Sequence, residues 1–399
     1  LLSANTGNCK TASRSMKTEA EDYTSFSQTL EVRYAQGYRK DAALILYLPL
    51  REGMSTKAFD ISEYGNNGAL EQNGSESWVD SNGLHFDGVD DCVEVADNPS
   101  LNFGSAQDFS ICFWMKTCIA NGTEAFLDKR SIGLGLQPGY NILTSYIEPH
   151  EIQAQIDDGT NTVILHSNSN VRDGGWHFIA VTFDRDGNGV LYVDTVEEDN
   201  KSISAVGDLT NTYNLFIGRA ANGGRFLNGT INELRIYNRT LSKTEITRLY
   251  LSHDETPRID PNSTYVISGW ITPPNVSVPL SELEGVEAYL NSTYTTLLDE
   301  NGVFRFIFDL PQEVGNYTYE VTVENMTEGG EAYASVVVDR IVVSESGAIN
   351  EWTGEEAVAW FRLRSEFDGQ PIESGSVVLT GGRNATWNPD KLRWEYREN

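Results

Sequence analysis

A chain of 399 residues with 58 acidic and 29 basic side chains has room for roughly two to four domains and carries a formal net charge of −29 at pH 7. That balance repels a bare phosphate backbone and an anionic leaflet, so nucleic acid and direct membrane insertion are excluded as expected modes of partnership. No apolar run reaches the length of about 18 residues that a spanning helix needs, and "AALILYLPL" at 42–50, broken by Pro49, reads as a buried strand.

The chain opens "LLSANTG", with neither an initiator Met nor a basic, apolar leader, and a processed or trimmed start is expected. Within 13–39, Met16, Ala20, Tyr23, Phe26, Leu30 and Tyr34 recur at intervals of three and four, which predicts an amphipathic helix ended by Gly37. From 43 to 240 the sequence breaks into short runs rich in β-branched and aromatic residues, such as "FSICFWMKT", "HFIAVTFD" and "GTINELRIYN", separated by Gly, Asn and Asp clusters. Strands at this spacing predict an antiparallel β-sandwich, with "DRDGNG" at 184–189 as a hairpin tip. "LSKTEITRLYLSH" at 241–253 departs from the pattern. Ser242 followed by Glu245 forms a capping box, and Ile246, Leu249 and Tyr250 give a short helix one apolar face.

A linker rich in Pro, Asp and Ser follows at 254–264. Alternating runs then continue over 258–345, near the size of an immunoglobulin-like sandwich. A further start at 346–399 has room for only a few strands. Its sheet is expected either to continue in a longer protein or to be completed by a strand from another chain. The expected fold class is therefore all-β. It comprises an N-terminal segment with a helix (1–42), a sandwich (43–253), an immunoglobulin-like sandwich (258–345) and an incomplete one (346–399).

Cys9, Cys92, Cys112 and Cys118 have no C-x-x-C spacing, which leaves disulfides or free thiols rather than zinc. Cys112 and Cys118 on one extended strand lie roughly 20 Å apart, too far to bridge, so each would need Cys9 or Cys92 and two connectivities remain open. The sequon N-x-[ST] occurs at Asn73, Asn121, Asn200, Asn228, Asn238, Asn262, Asn275, Asn291, Asn316, Asn325 and Asn384. That is about twice the chance number and predicts a glycosylated, extracellular surface protein.

The stretch "LHFDGVDDCVEVADNPSLNF" packs four aspartates around two tight turns. With "LYLPLREGMSTKAFDISEYGNNGAL", "FSICFWMKT", "GGWHFIAVTFDRDGNGVLYVD", "LFIGRA" and "LNGTINELRIYNRTLSKTEITRLY", it resembles the laminin G-like, concanavalin A-like jelly-roll modules over residues 46–240 and the helix beyond them. The sequence departs from that pattern at Thr195, Cys92 and Asn232. The resemblance implies a module that binds glycans or proteins, sometimes around calcium. Its oxygen ligands would come from Asp60, Asn66, Asp87, Asp90 and Asp91, with Asn232 nearby, and a hard cation of this kind takes six to eight oxygens. The block at 258–345 resembles, on "TLLDENGVFRFIFDLP" and "GNYTYEVTVE", the immunoglobulin-like or carboxypeptidase-regulatory-like spacers of microbial surface proteins, a resemblance that carries no functional residue across.

The same architecture hosts glycosidases, whose two carboxylates must lie about 5 to 9 Å apart. The nearest pair, Glu151 and Asp157 in "EIQAQIDD", is separated by roughly 20 Å of strand. His85, His150, His166, His177 and His253 show no metal-ligand spacing, and no nucleophile elbow or phosphate loop is present. Trp114 and Trp176 are candidates for stacking on sugars, although inward aromatics more often form core. The expectation is a non-catalytic, secreted cell-surface protein that recognises a glycan or a protein surface. The alternatives are a structural protomer of an extracellular filament or layer and, behind it, an ancillary part of a glycoside hydrolase.

Overall fold

The computed structural model describes residues 11–15, 27–52, 56–71, 83–118, 122–130, 136–144, 152–251, 258–259, 263–272, 287–291, 294–299, 303–323, 332–338, 341–349, 357–365, 377–379, 383–388 and 393–398. Its centre is a jelly-roll sandwich of two antiparallel sheets. The first runs Val196–Ser202, Asn188–Val193, His177–Phe183, Phe109–Thr117, Asn228–Tyr237, Leu44–Leu48, with Leu84–Asp87 also paired to Asn228–Tyr237. The second runs Thr162–His166, Ile152–Asp157, Gly139–Thr144, Ala125–Arg130, Leu215–Ile217, Cys92–Val95, Gly68–Glu71, Lys57–Ala58.

Alternation along each strand decides what lies between the sheets. In "FSICFWMKT", Phe109, Ile111, Phe113 and Met115 enter the inner core, while Cys112 and Trp114 belong to a second apolar cluster on the outer face. Phe109 anchors the inner core. It stacks on Phe103 at 4.0 Å and on Phe183 at 4.5 Å between ring centroids. One open edge is sealed by charge: Lys201 Nζ donates to the Ile164 carbonyl (2.8 Å), and the His166 amide donates to Asp199 Oδ2 (2.9 Å).

The expected helix forms at Lys243–Leu251. The Ser242 amide and hydroxyl both donate to Glu245 Oε2 (2.8 Å each), and the Glu245 amide donates back to Ser242 Oγ (3.3 Å), which is the capping box read from the sequence. Ile246 is buried on the outer face of the first sheet, and Tyr250 stacks on Trp114 at 5.2 Å.

The expected N-terminal helix is overturned. Thr11–Ser15 and Ser27–Arg39 are strands, and 16–26 lie outside the described residues. In 27–39, Leu30, Val32, Tyr34 and Tyr38 also follow a period of two, and the segment contains β-branched and aromatic residues that suit a strand. A partner decides between the periods. Ser27–Arg39 pairs along Thr264–Thr272 from Arg39 opposite Tyr265 to Glu31 opposite Thr272. The resulting four-stranded sheet runs Thr11–Ser15, Ser27–Arg39, Thr264–Thr272, Val303–Asp309.

Two five-stranded sheets complete the chain. One runs Arg258–Ile259, Ala332–Val338, Gly315–Val323, Glu287–Leu290, Tyr294–Leu297, and the other Ile341–Ile349, Ala357–Ser365, Arg393–Glu398, Arg383–Asn388, Val377–Leu379. The four-stranded sheet meets the jelly roll through an apolar joint. Trp270, fully buried, lies 5.5 Å from Phe59 between ring centroids. Tyr38 Oη donates to the Ile61 carbonyl (2.5 Å), Arg305 donates to the Ser62 carbonyl, and Lys40 pairs with Glu63 at 2.8 Å.

Candidate functional site

The acidic stretch is a turn between Leu84–Asp87 and Cys92–Val95. Gly88 has φ +83°, and a Cβ there would come within 2.9 Å of the Asn228 Cβ, so only glycine fits. Asp87 Oδ1 accepts from the Val89 amide (2.8 Å), Asp91 Oδ2 accepts from the Asp87 amide (3.1 Å), and Asn228 Nδ2 donates to the Asp87 carbonyl (3.1 Å). Carboxylate oxygens of Asp87, Asp90 and Asp91 lie within 4.8 Å of one another. Three like charges at this spacing repel, and a hard cation that accepts oxygen ligands relieves the repulsion. The donor set therefore fits calcium with water completing the shell.

Asp60, Asn66 and Asn232 do not join it, which corrects the six-residue set. The Asn228–Tyr237 strand acts as a ruler: Asp87 faces Asn228, while Tyr47, whose amide Asp60 binds, faces Arg235. Asn232 is therefore about 13 Å, and the Tyr47 position about 23 Å, along the strand from the turn. All three are occupied structurally. Buried Asp60 accepts from the amides of Tyr47, Ser62 and Asn66 and from Ser62 Oγ at 2.7 to 2.9 Å. Burial still raises its pKa. Asn66 Nδ2 donates to the Ile45 carbonyl (2.8 Å) and Ser100 Oγ (3.0 Å). Asn232 Oδ1 accepts from Arg51 Nε (3.1 Å), next to a buried pair in which Arg235 meets Glu233 at 2.6 Å.

A second arrangement lies on the outward face of the eight-stranded sheet. Register places Phe216, Asp128, Asn141 and Gln155 side by side on four neighbouring strands. The inward row next to them is apolar, with Ile217, Leu127, Ile142 and Ala154 in the core. Arg130 is the hub of the outward row. Its Nε and Nη2 donate to Asp128 Oδ1 (3.0 Å) and Oδ2 (3.2 Å), and its Nη1 donates to Gln155 Oε1 (3.3 Å). With its amide turned so that both atoms are satisfied, Asn141 accepts from Arg130 Nη2 at 2.7 Å. The Ala221 amide donates to Asp128 Oδ2 (3.1 Å), bringing the Gly-rich 218–227 loop over one end, where Arg219 lies 3.9 Å above the Phe216 ring. Asp128, Asn141, Gln155 and Phe216 are all buried, and half-buried Arg130 is the member that reaches the surface. The sequence signal was the alternation of Gln153, Gln155 and Asp157 in "EIQAQIDD", but nothing in that segment names its neighbours.

Other expected residues take structural places. His177 Nδ1 lies 2.8 Å from Asp194 Oδ2, and Nε2 3.1 Å from Asp173 Oδ1; despite partial burial, these carboxylates raise its pKa. Trp114 is core under the helix, and Trp176 is half-buried beside it. His150, Glu151 and His253 lie outside the described residues. Of the disulfide candidates, Cys92, Cys112 and Cys118 are all free, so no bridge forms among them. Cys112 faces outward from the first sheet, whereas Cys92 is on the second and is held by Glu71 (3.4 Å) and Arg219 (3.2 Å). Cys9 lies outside the described residues. Of the sequons, Asn200, Asn291 and Asn316 are exposed, and Asn228 and Asn238 are half-buried. Asn384 is in a strand, and Asn73, Asn121, Asn262, Asn275 and Asn325 lie outside the described residues.

Residues 87–247 match the family model described as the concanavalin A-like lectin/glucanases superfamily (Laminin_G_3). The chain is similar to botulinum neurotoxin type X of Clostridium botulinum, 25% identical over 187 residues, which are 45% of this chain and 13% of that protein. It is also similar to the botulinum-like toxin eBoNT/J of Enterococcus sp. (strain 3G1_DIV0629), 22% identical over 176 residues, 42% of this chain and 13% of that protein. The matched part thus spans about an eighth of the length of these curated relatives. Among solved structures, the binding domain of Paraclostridial Mosquitocidal Protein 1 superposes with a TM-score of 0.42 at 12% identity, covering 89% of this chain and 92% of that one. The receptor binding domain of botulinum neurotoxin C/D mosaic serotype gives 0.44 at 11%, covering 80% and 87%. Two facing antiparallel sheets, the closing helix and the matched family model together make the segment 87–247 a concanavalin A-like jelly-roll domain of the laminin G-like kind.

Proposed function

We propose that the jelly roll is a non-catalytic recognition module of a secreted, extracellular protein, and that it takes a glycan through the outward polar row of its eight-stranded sheet. The observation that carries this reading is the Arg130 hub. A planar guanidinium, a carboxylate and two carboxamides are locked in place before any ligand arrives, beside an aromatic ring at Phe216. The guanidinium of Arg130, held by these buried partners, reaches the surface where it can meet sugar hydroxyls, and its pre-organisation reduces the ordering cost of binding. The superfamily's description, which joins lectins with glucanases, supports a carbohydrate ligand. Hydrolysis is not favoured. Both oxygens of Asp128 are committed to Arg130 and the Ala221 amide, which leaves neither as acid or nucleophile.

In this reading calcium in the Asp87, Asp90 and Asp91 turn stiffens one end of the domain, and the strands of 258–338, completed by Thr11–Ser15 and Ser27–Arg39, form an immunoglobulin-like spacer. The test is a glycan array probed with the full chain, its Arg130→Ala and Gln155→Ala variants, and the parent after chelation. Binding lost in Arg130→Ala and weakened in Gln155→Ala supports the outward row. Binding retained in both variants and lost on chelation moves the site to the acidic turn. No glycan bound by the folded parent leaves a protein surface as the ligand.

A further inference from the structure

Lys129 has no accessible surface, although it carries an ammonium group. Its Nζ donates to Asp97 Oδ1 (2.8 Å), the Tyr213 carbonyl (2.9 Å), Asn102 Oδ1 (3.1 Å) and Asn211 Oδ1 (3.4 Å). One of these partners is itself tied to the others. Asn102 Nδ2 donates to the same Asp97 oxygen (2.9 Å), and Asn102 Oδ1 also accepts from the Asn211 backbone amide (3.1 Å). An amine, a carboxamide, a carboxylate touching both nitrogens and a backbone donor on the carboxamide oxygen are thus gathered at one point, with the lysine fully buried and its partners half-buried.

We propose that Lys129 and Asn102 close an intramolecular isopeptide bond, with Asp97 carrying the proton between them. Lys129 Nζ gives a proton to Asp97, and the neutral amine adds to Cγ of Asn102. The charge that develops on Oδ1 is met by the Asn211 amide, as in an oxyanion hole. The tetrahedral adduct passes a second proton from Nζ by way of Asp97 to Nδ2, which leaves as ammonia. One N–C bond forms, one N–C bond breaks, and no electron transfer is involved. Proximity in a fixed hydrogen-bonded cluster replaces the activation that an amide otherwise needs.

Asn211 is a poorer electrophile for the same amine. Its Nδ2 donates only to the carbonyls of Lys129, Pro138 and Leu209, so no acid stands at its leaving group. Burial lowers the Lys129 pKa, opposed by Asp97, and this eases loss of the first proton. Asp97 is partly buried but is held below the usual carboxylate range by Lys129 and Asn102, so the proton starts on the lysine. The bond would tie the Ala125–Arg130 strand of the second sheet to the connection leading into Phe109–Thr117 of the first.

The experiment is intact mass of the full chain under denaturing conditions, from a host that does not glycosylate, followed by peptide mapping. The expected result is a mass lower than the sequence by one ammonia, with a branched peptide joining Lys129 to Asn102. Lys129→Arg and Asn102→Ala should each lack the branch. Asp97→Ala, which keeps both partners, should lack it or form it many-fold more slowly. Full sequence mass with linear peptides across both positions overturns the proposal. So does a loss of one ammonia without a branched peptide, since cyclisation of an asparagine accounts for it.

Discussion

Glu52 is buried at the end of the Leu44–Leu48 segment, with one carboxyl oxygen accepting from the Phe59 amide (2.8 Å). Burial pushes its pKa from 4.5 up to about 8, against the pull of that amide. Between those values the folded chain holds a proton that the unfolded chain has released, so this group makes stability fall as pH rises, by about 1.4 kcal/mol per unit. Glu52→Gln should therefore match the parent near pH 5 and exceed it increasingly toward pH 8, read as denaturation midpoints across that range. A gap that stays constant with pH would place the proton elsewhere. A different effect is expected at Glu233, whose carboxylate holds Arg235 and Arg51: Glu233→Ala should cost about 3 to 5 kcal/mol in chemical denaturation, because it leaves buried charge without its partner. Legibility at this scale follows sequence distance. Asp87, Asp90 and Asp91 could be grouped by eye because one turn contains them, whereas Asp128, Asn141 and Gln155 meet only through strand register, which no single segment encodes.

The helix at 243–251 was readable because its signal is local: Ser242 and Glu245 lie three apart, and they bond as that spacing requires. Arg239 joins them, donating to Glu245 at 2.6 Å and to Asp41 at 2.5 Å. Partial burial opposes ionisation of Glu245, but Arg239 and Ser242 outweigh it and hold the carboxyl at about 2. Its contribution is thus present above the ordinary carboxylate range and is lost as pH falls through about 2. Ser242→Ala should lower stability by about 0.5 to 2 kcal/mol, measured by denaturation at neutral pH. The strand at 27–39 was misread for a physical reason. Leu30 and Tyr34 are four apart, a spacing shared by a helix face and a strand face, and the partner strand that decides between them begins at Thr264.

For the molecule as a whole, the expected pieces are joined more tightly than a linker suggests. Trp270, Val303 and Tyr38 enter the apolar cluster that also holds Tyr47, Phe59 and the helix residue Ile246. Trp270→Ala should cost about 3 to 5 kcal/mol and split one calorimetric transition into two, as the sheet and the jelly roll lose their common core. Surface chemistry should be equally selective. In a glycosylating host, Asn200, Asn291 and Asn316 should carry glycans in a peptide map, whereas Asn228, whose Nδ2 holds the acidic turn, should remain bare. The cysteines give the same molecule a clock. Cys118 is exposed, while Cys112 is sealed under the outer cluster with its thiol pushed up by burial to about 12. An alkylating reagent should modify Cys118 at once and Cys112 only during excursions that lift the helix from the sheet. The slow labelling rate of Cys112 then reports how often the native sandwich breathes, with the fast thiol just past the end of its strand as the internal reference.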